Sequence, residues 1–370
     1  MSFNDYFRNK RVFLTGHTGF KGSWLAEWLL DLGAEVYGYA LDPQPHECLF
    51  DQLGLASRLS SDTRADLADR QALNDAICAA CPDVILHLAA QPLVRLSYDI
   101  PVETFATNVM GTAHLLDAAR TQIDHPCAVV CVTTDKCYEN REWLHAYREE
   151  DAMGGHDPYS ASKGAAELVI SSYRRSYFSD DSSLVKVASA RAGNVIGGGD
   201  WAIDRIVPDC VRAIRFGESI PIRNRTATRP WQHVLEPLGG YLWLAASLGM
   251  NKDGLIPLDS AFNFGPDLTS NRSVAGLVEE LTRHMGGEWQ DISDERAPHE
   301  ASKLNLATDK AYHLLDWRPT WSFGDSVAQT AGWYLSEADG VDVGDLTRSQ
   351  IASYQSAATK LNLAWSTLPQ

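Results

Sequence analysis

The sequence predicts an α/β fold: a doubly wound parallel sheet followed by a smaller, mixed α/β C-terminal part. Three observations predict it. Strand-length apolar runs alternate with helical patterns over the first ~190 residues, as in a parallel sheet with helices on both faces. Glycines 16, 19 and 22 fall between the first strand and the first helix. After Ala190 the chain turns glycine-rich and polar and the regular alternation stops.

Arg11–Thr15 is a short apolar strand, and a helical pattern runs from Ser23 to Leu32. Between them lies Gly16-His17-Thr18-Gly19-Phe20-Lys21-Gly22. The three glycines permit a tight turn, close approach of backbone to a pyrophosphate, and close packing of helix on strand. The helix N-terminus then faces the phosphate charge. In this strand-to-helix setting the motif predicts a dinucleotide-binding, Rossmann-type sheet. A second strand covers Glu35 to Leu41. Asp42, just past it, is the candidate for the adenosine ribose, or else a solvated loop residue. Asp66-Leu67 precedes a helix over 70–81. Asp66 is a candidate contact for the adenine amino group, or a helix cap. The strand Asp83–Leu88 runs into Ala89, Ala90 and Gln91, where small side chains let a cofactor lie against the backbone. His87 reads as a core histidine. Helical periodicity covers 101–119, and Asn108 within it is expected to hydrogen-bond backbone near the active strand.

The apolar strand Ala128–Thr133 leads into Thr134-Asp135-Lys136, which therefore sits at a strand's carboxyl end, where open parallel sheets bind ligands. Tyr159 and Lys163 open the next helix, which runs to about Tyr177, and share one of its faces. A phenol beside an ammonium is one whose anion is stabilised. A strand at Leu184–Ala190 completes the alternation. Beyond it come Arg191, Asn194, a glycine run at 197–199, Arg205, and a cluster of Arg223, Arg225, Arg229, Trp231 and His233. In a chain of net charge −16 this local positive density suits a nucleoside diphosphate, with guanidinium for phosphate and ring for base. The alternative is a set of surface ion pairs. Residues 1–190 thus read as a cofactor-binding domain, with segments at roughly 230–265 returning to it, and 191–370 as mainly substrate-binding. The last ~20 residues read as a peripheral helix.

An excess of 48 acidic over 32 basic residues argues against nucleic acid as a partner. No run reaches the ~18 apolar residues of a membrane span; Tyr241–Leu248 is too short. Charged residues up to Lys10 break any signal peptide, and seven cysteines in so long a chain do not read as a disulfide framework. Cys78 and Cys81 read as buried small apolar residues rather than a redox or metal pair. A reducing cytoplasm is the expected setting.

The glycine motif, Asp66, Ala89-Ala90, Asn108, and Tyr159 with Lys163 stand in the order and spacing of the extended short-chain dehydrogenases/reductases that act on nucleotide sugars. Within that family the chain resembles the sugar-nucleotide 4,6-dehydratases rather than the 4-epimerases, through Thr134-Asp135. Most of them carry Asp-Glu where this chain has Asp135-Lys136; the branch acting on CDP-glucose shares the lysine. Segments 134–138, 154–159, 194–201 and 229–234 carry that likeness, which spans residues ~10–330.

The resemblance implies oxidation at C4 of the sugar, loss of water across C5–C6, and reduction at C6. It implies an NAD that stays bound, held by Gly16 to Gly22, Asp42, Asp66, Leu67, Ala89, Ala90, Asn108, Thr133, Tyr159 and Lys163. Tyr159 would be the base for the 4-hydroxyl and Thr134 would bond the 4-oxygen. Asp135, protonated, would supply a proton to the departing 6-hydroxyl, and Lys136, as the free amine, would take the C5 proton. An ion pair of Lys136 with Asp135 or Glu139 is the alternative. The CDP-glucose contacts would be Gln91, Asn194, Arg205, Arg223, Arg229, Trp231 and His233, with Arg191 a weaker candidate. A homodimer or homotetramer through 102–120 and 159–177 is expected, and no metal. The rivals are a 4-epimerase or a dehydratase for another nucleotide sugar, and a non-catalytic NAD-sensing regulator, against which the joint presence of Thr134, Tyr159 and Lys163 argues.

Overall fold

The computed structural model describes residues 2–44, 47–180, 183–251, 257–293 and 303–367. Seven parallel strands form its central sheet: β1 (Arg11–Thr15), β2 (Glu35–Ala40), β3 (Ser61–Arg64), β4 (Val84–His87), β5 (Cys127–Val132), β6 (Val185–Ala192) and β7 (Ala261–Phe264). Their order across the sheet is β7-β6-β5-β4-β1-β2-β3. The order reverses between β1 and β4, so a crevice opens at their carboxyl ends.

Alternation along each strand explains why both faces are covered. Val12 and Leu14, Val84 and Leu86, and Ala128 and Val130 face one core, which also holds Trp24 and Trp28 of α1 (Phe20–Asp31). Phe13, Ile85, Val129 and Cys131 face the other, with Leu73 and Ile77 of α2 (Arg70–Ala80), Leu115 and Leu116 of α3 (Gly111–Gln122), and Ile170 of α4 (Pro158–Tyr177). A strand buried on both faces reads as a near-continuous apolar run. That is why β1, β4, β5 and β6 are predicted and β3, a polar Ser-Asp-Thr-Arg edge strand, is not.

The apolar stretch at 241–248 lies inside α5 (Leu235–Met250), which packs under the sheet, and β7 follows it on the sheet's edge beside β6. Short strands outside the sheet pair locally: Val195–Ile196 with Gln232–His233, and Thr228–Pro230 with Asn271–Ser273. Among the described residues no helix is long and apolar enough to cross a membrane.

Residues 101–119 are helical as expected, on to Gln122, with a π-type turn over Ala106–Met110, a feature often found at functional sites. Two expectations are corrected. The described residues near the C-terminus, up to Thr367, are not a peripheral helix. The helix Val343–Lys360 ends ten residues earlier than the chain does, and Trp365 stacks on Tyr354 and Phe3 in the core. Cys78 is exposed and Cys81 half-buried, because α2 buries Leu73, Ile77 and Ala80 and Cys78 falls on its other face.

Candidate active site

β5 ends at the sheet's crevice, and Thr133, Thr134 and Asp135 continue from it, all buried. Thr134 caps the short turn Asp135–Cys137: its Oγ1 accepts from the Lys136 N–H at 3.3 Å and donates to Asp135 Oδ1 at 2.9 Å. Opposite stands the start of α4. Asp157 caps it by accepting from Ser160 N–H at 2.9 Å, and the Tyr159 N–H donates to Ser97 Oγ at 3.1 Å. Tyr159 and Lys163 are both buried on the face turned to β5, and Lys163 Nζ lies 3.5 Å from the Val132 carbonyl oxygen.

Burial opposes both charges of this pair. It holds the Tyr159 phenol well above its ordinary range, against a hydrogen bond from Thr134; Asp135 adds to the rise and Arg205 opposes it. It pushes the Lys163 ammonium down to about 8, with Glu167 the main opposing influence. Lys21 is also brought to this point and pushed down to about 8, by burial first and then by Arg205, with Lys163 and Lys136 adding and Asp135 opposing. Three lysines and an arginine therefore converge on Tyr159 and Asp135.

Lys136 Nζ lies 3.4 Å from Asn194 Oδ1 and 3.9 Å from Asp135 Oδ1. Asp135 Oδ2 is buried with no protein partner. It faces Gly193, where a Cβ would stand 2.9 Å from it. Gly193 and Ser97 are positioning features that the sequence reading did not single out.

The glycine turn suits a dinucleotide. Gly16 has φ +76°, and a Cβ there would meet the Ala89 backbone nitrogen at 2.8 Å; one at Gly22 would lie 2.0 Å from the Gly16 oxygen. Only glycine lets β1 turn into α1 this tightly beside Ala89. Phe20 lies at the start of α1, and Thr18 Oγ1 donates to the Leu41 carbonyl at 3.1 Å. Ala90 is half-buried beside Gln91. Asn108 is buried and binds the Gln91 backbone through both its amide atoms, at 2.9 and 3.1 Å, and Ser162 Oγ at 2.8 Å. Gln91 spends its own side chain on Leu93 and Thr104. Asp42 is two residues past β2 with its side chain exposed, 4.0 Å from Arg64. Asp66 accepts from the Ala68 N–H at 2.9 Å, and Leu67 is packed under Gly111. The His17 ring turns beneath the loop, fully buried: it bonds Asp62 at 2.8 Å and fills the space left by Gly38. His87 is a core histidine between Thr15 and Thr112, pushed down to about 3 by burial.

Arg205 pairs with Asp200 at 2.9 Å, and Arg223 with Asp204 at 2.5 Å. Arg229 is buried and donates to the Thr228 carbonyl at 2.9 Å. The Trp231 indole is 3% exposed and donates to the Arg272 carbonyl at 3.0 Å. His233 is enclosed edge-to-face by Trp24 and Trp321. Arg191 is likewise enclosed, bonded to Glu167 at 2.8 Å.

A parallel sheet with a glycine turn after β1 and a buried Tyr–Lys pair at its carboxyl edge defines the short-chain dehydrogenase/reductase class. More narrowly, the chain belongs to the GDP-mannose 4,6 dehydratase family, whose profile matches residues 13–330. It is 44% identical to the CDP-glucose 4,6-dehydratase of Salmonella typhimurium, over 96% of this chain and 99% of that one. It is 29% identical to a dTDP-glucose 4,6-dehydratase of Streptomyces antibioticus, over 87% and 92%. Its fold matches that of a Streptomyces venezuelae dTDP-glucose 4,6-dehydratase solved with NAD bound, at TM-score 0.75, 24% identity and coverage of 89% and 98%.

Proposed function

We propose that this chain is an NAD-dependent hydro-lyase that converts CDP-D-glucose into CDP-4-keto-6-deoxy-D-glucose and water, a step of deoxysugar biosynthesis. The observation that carries this reading is Asp135-Lys136 set beside Tyr159 at the end of β5, in a chain 44% identical to the Salmonella relative over nearly the whole of both. The Gly16–Gly22 turn would hold NAD, which would supply the hydride acceptor and donor that oxidation at C4 and reduction at C6 need. Tyr159 takes the proton of the 4-hydroxyl, with Lys163 nearby to favour the phenolate. Thr134 bonds the 4-oxygen. Lys136 takes the proton from C5, now next to a ketone, and gives one back to C5 when C6 is reduced, while Asp135 gives one to the departing 6-hydroxyl. Asn194, Arg205, Arg223 and Arg229 remain the candidates for the CDP moiety, with α5 and β7 joining residues 1–190 around the cofactor.

Incubation with CDP-, dTDP- and UDP-glucose and GDP-mannose, with and without added NAD, tests the reading. The alkali absorbance of a 4-keto-6-deoxy sugar should appear with CDP-glucose. Turnover of another substrate beside none of CDP-glucose overturns it. We further infer a cytoplasmic homodimer or homotetramer. Its contact would be the face where Val102 and Leu168 are 74% and 61% exposed. Light scattering should return two or four chains, and a monomer would refute that part.

A further inference from the structure

Glu167 is a buried carboxylate that the reaction outlined above does not use. It lies one turn past Lys163 on α4, as Lys163 lies one turn past Tyr159. Thr133 Oγ1 donates to its Oε1. Its Oε2 accepts from Ser189 Oγ at 2.9 Å and from Arg191 Nη2 at 2.8 Å. Burial works against the carboxylate, but the Arg191 charge and these hydrogen bonds outweigh it and hold Glu167 below its ordinary range. Arg191 is fixed in turn: Nη1 donates to Tyr138 Oη at 2.8 Å and to the Glu149 carbonyl at 2.9 Å. Tyr138 Oη donates to Asn263 Oδ1 at 2.7 Å on β7.

A buried ion pair is weak evidence for stability, since apolar residues of like volume often serve as well. The destination of the remaining bonds is more telling. Thr133 binds Glu167, the Val132 carbonyl faces Lys163, and the next residues are Thr134 and Asp135. The strand end that carries the site is thus tied to α4 at two successive turns. We propose that Glu167, locked by Arg191, is a positioning residue for the activity proposed above: it registers the end of β5 against Tyr159 and sets a fixed carboxylate one helical turn from Lys163.

The surroundings of Lys163 point to the same role. Cys131 on β5 and Cys137 after it face the ammonium, but burial pushes both thiols up, so they are neutral near pH 7. His87 on β4 feels Lys163 and is held neutral by burial, and Lys21 on α1 is a second cation. Among these influences Glu167 is the one carboxylate. Its loss makes the ammonium easier to deprotonate, so Lys163 should titrate at lower pH.

Glu167→Gln leaves Arg191 buried without its anion and risks misfolding, so the test pairs it with Glu167→Gln/Arg191→Met, which removes both charges. Protein labelled with ¹³C-lysine is titrated by NMR, with Lys163 assigned through Lys163→Ala. In a folded double variant, checked by circular dichroism, Lys163 should titrate about one pH unit lower than in the wild type. The alkaline limb of kcat for CDP-glucose should move the same way while KM stays within about two-fold. Glu167→Asp should restore part of the shift. An unmoved Lys163 titration in the folded double variant overturns the proposal. Failure of the wild type to turn over CDP-glucose overturns the functional reading instead and leaves the titration interpretable.

Discussion

Tyr159→Phe should slow turnover of CDP-glucose by about 10²–10⁴-fold, the range for removing a positioned general base. The ring of Tyr159 is buried beside Thr134, so phenylalanine fills the same space and takes away one oxygen. NAD content and affinity for CDP-glucose should therefore change little, and the loss should fall on kcat. The electrostatics make the pH dependence specific. Burial holds Tyr159 as the phenol, so the wild-type rate should rise with pH as the phenolate becomes accessible. Lys163, pushed down to about 8 by burial, loses its charge as pH rises through that value, and its help to the phenolate goes with it. The profile should be bell-shaped, and Tyr159→Phe should flatten its acid limb. A variant within ten-fold of the wild type, with the same profile, would remove Tyr159 from the chemistry.

What the sequence reveals of this site depends on how local the signal is. The glycine turn, the Tyr159–Lys163 spacing and the apolar β5 are each written within a few residues, and they stand in the structure where their patterns place them. The π-type turn at Ala106–Met110 is invisible because one extra residue per turn leaves the apolar pattern looking helical. The burial of Trp231 and His233 illustrates a different limit. A tryptophan among arginines has the same composition whether it lines a ligand site or a core, and only the pairing of Gln232–His233 with Val195–Ile196 turns these side chains inward. Arg191 reads as a free cation because its anion comes from another element, 24 residues before it. Glu167 carried one legible clue, its place four residues after Lys163 on the same inward face. A carboxylate there needs a buried cation, and β6 supplies one.

Lys136→Met should keep NAD binding yet abolish exchange of the C5 proton with solvent, and with it product formation. The side chain stands between two partners that favour different roles. Asn194 Oδ1 at 3.4 Å gives the amine a neutral partner, as a base for C5 needs. Asp135 Oδ1 at 3.9 Å would make it a mere counter-ion. Methionine conserves length and removes the nitrogen, so it separates the two roles when set beside Asp135→Asn. If Lys136 is the base and Asp135 the acid, Asp135→Asn retains C5 exchange, since the proton still leaves, but loses water about 10²-fold or more slowly. Lys136→Met shows neither step. If Lys136 only balances Asp135, its replacement leaves exchange intact and slows the loss of water alone, so the two variants behave alike. Incubation in deuterated water, with mass analysis of recovered CDP-glucose and product, distinguishes these patterns. Full exchange in Lys136→Met would sink the base assignment and return the C5 proton to another of the cations converging there, Lys21 or Lys163.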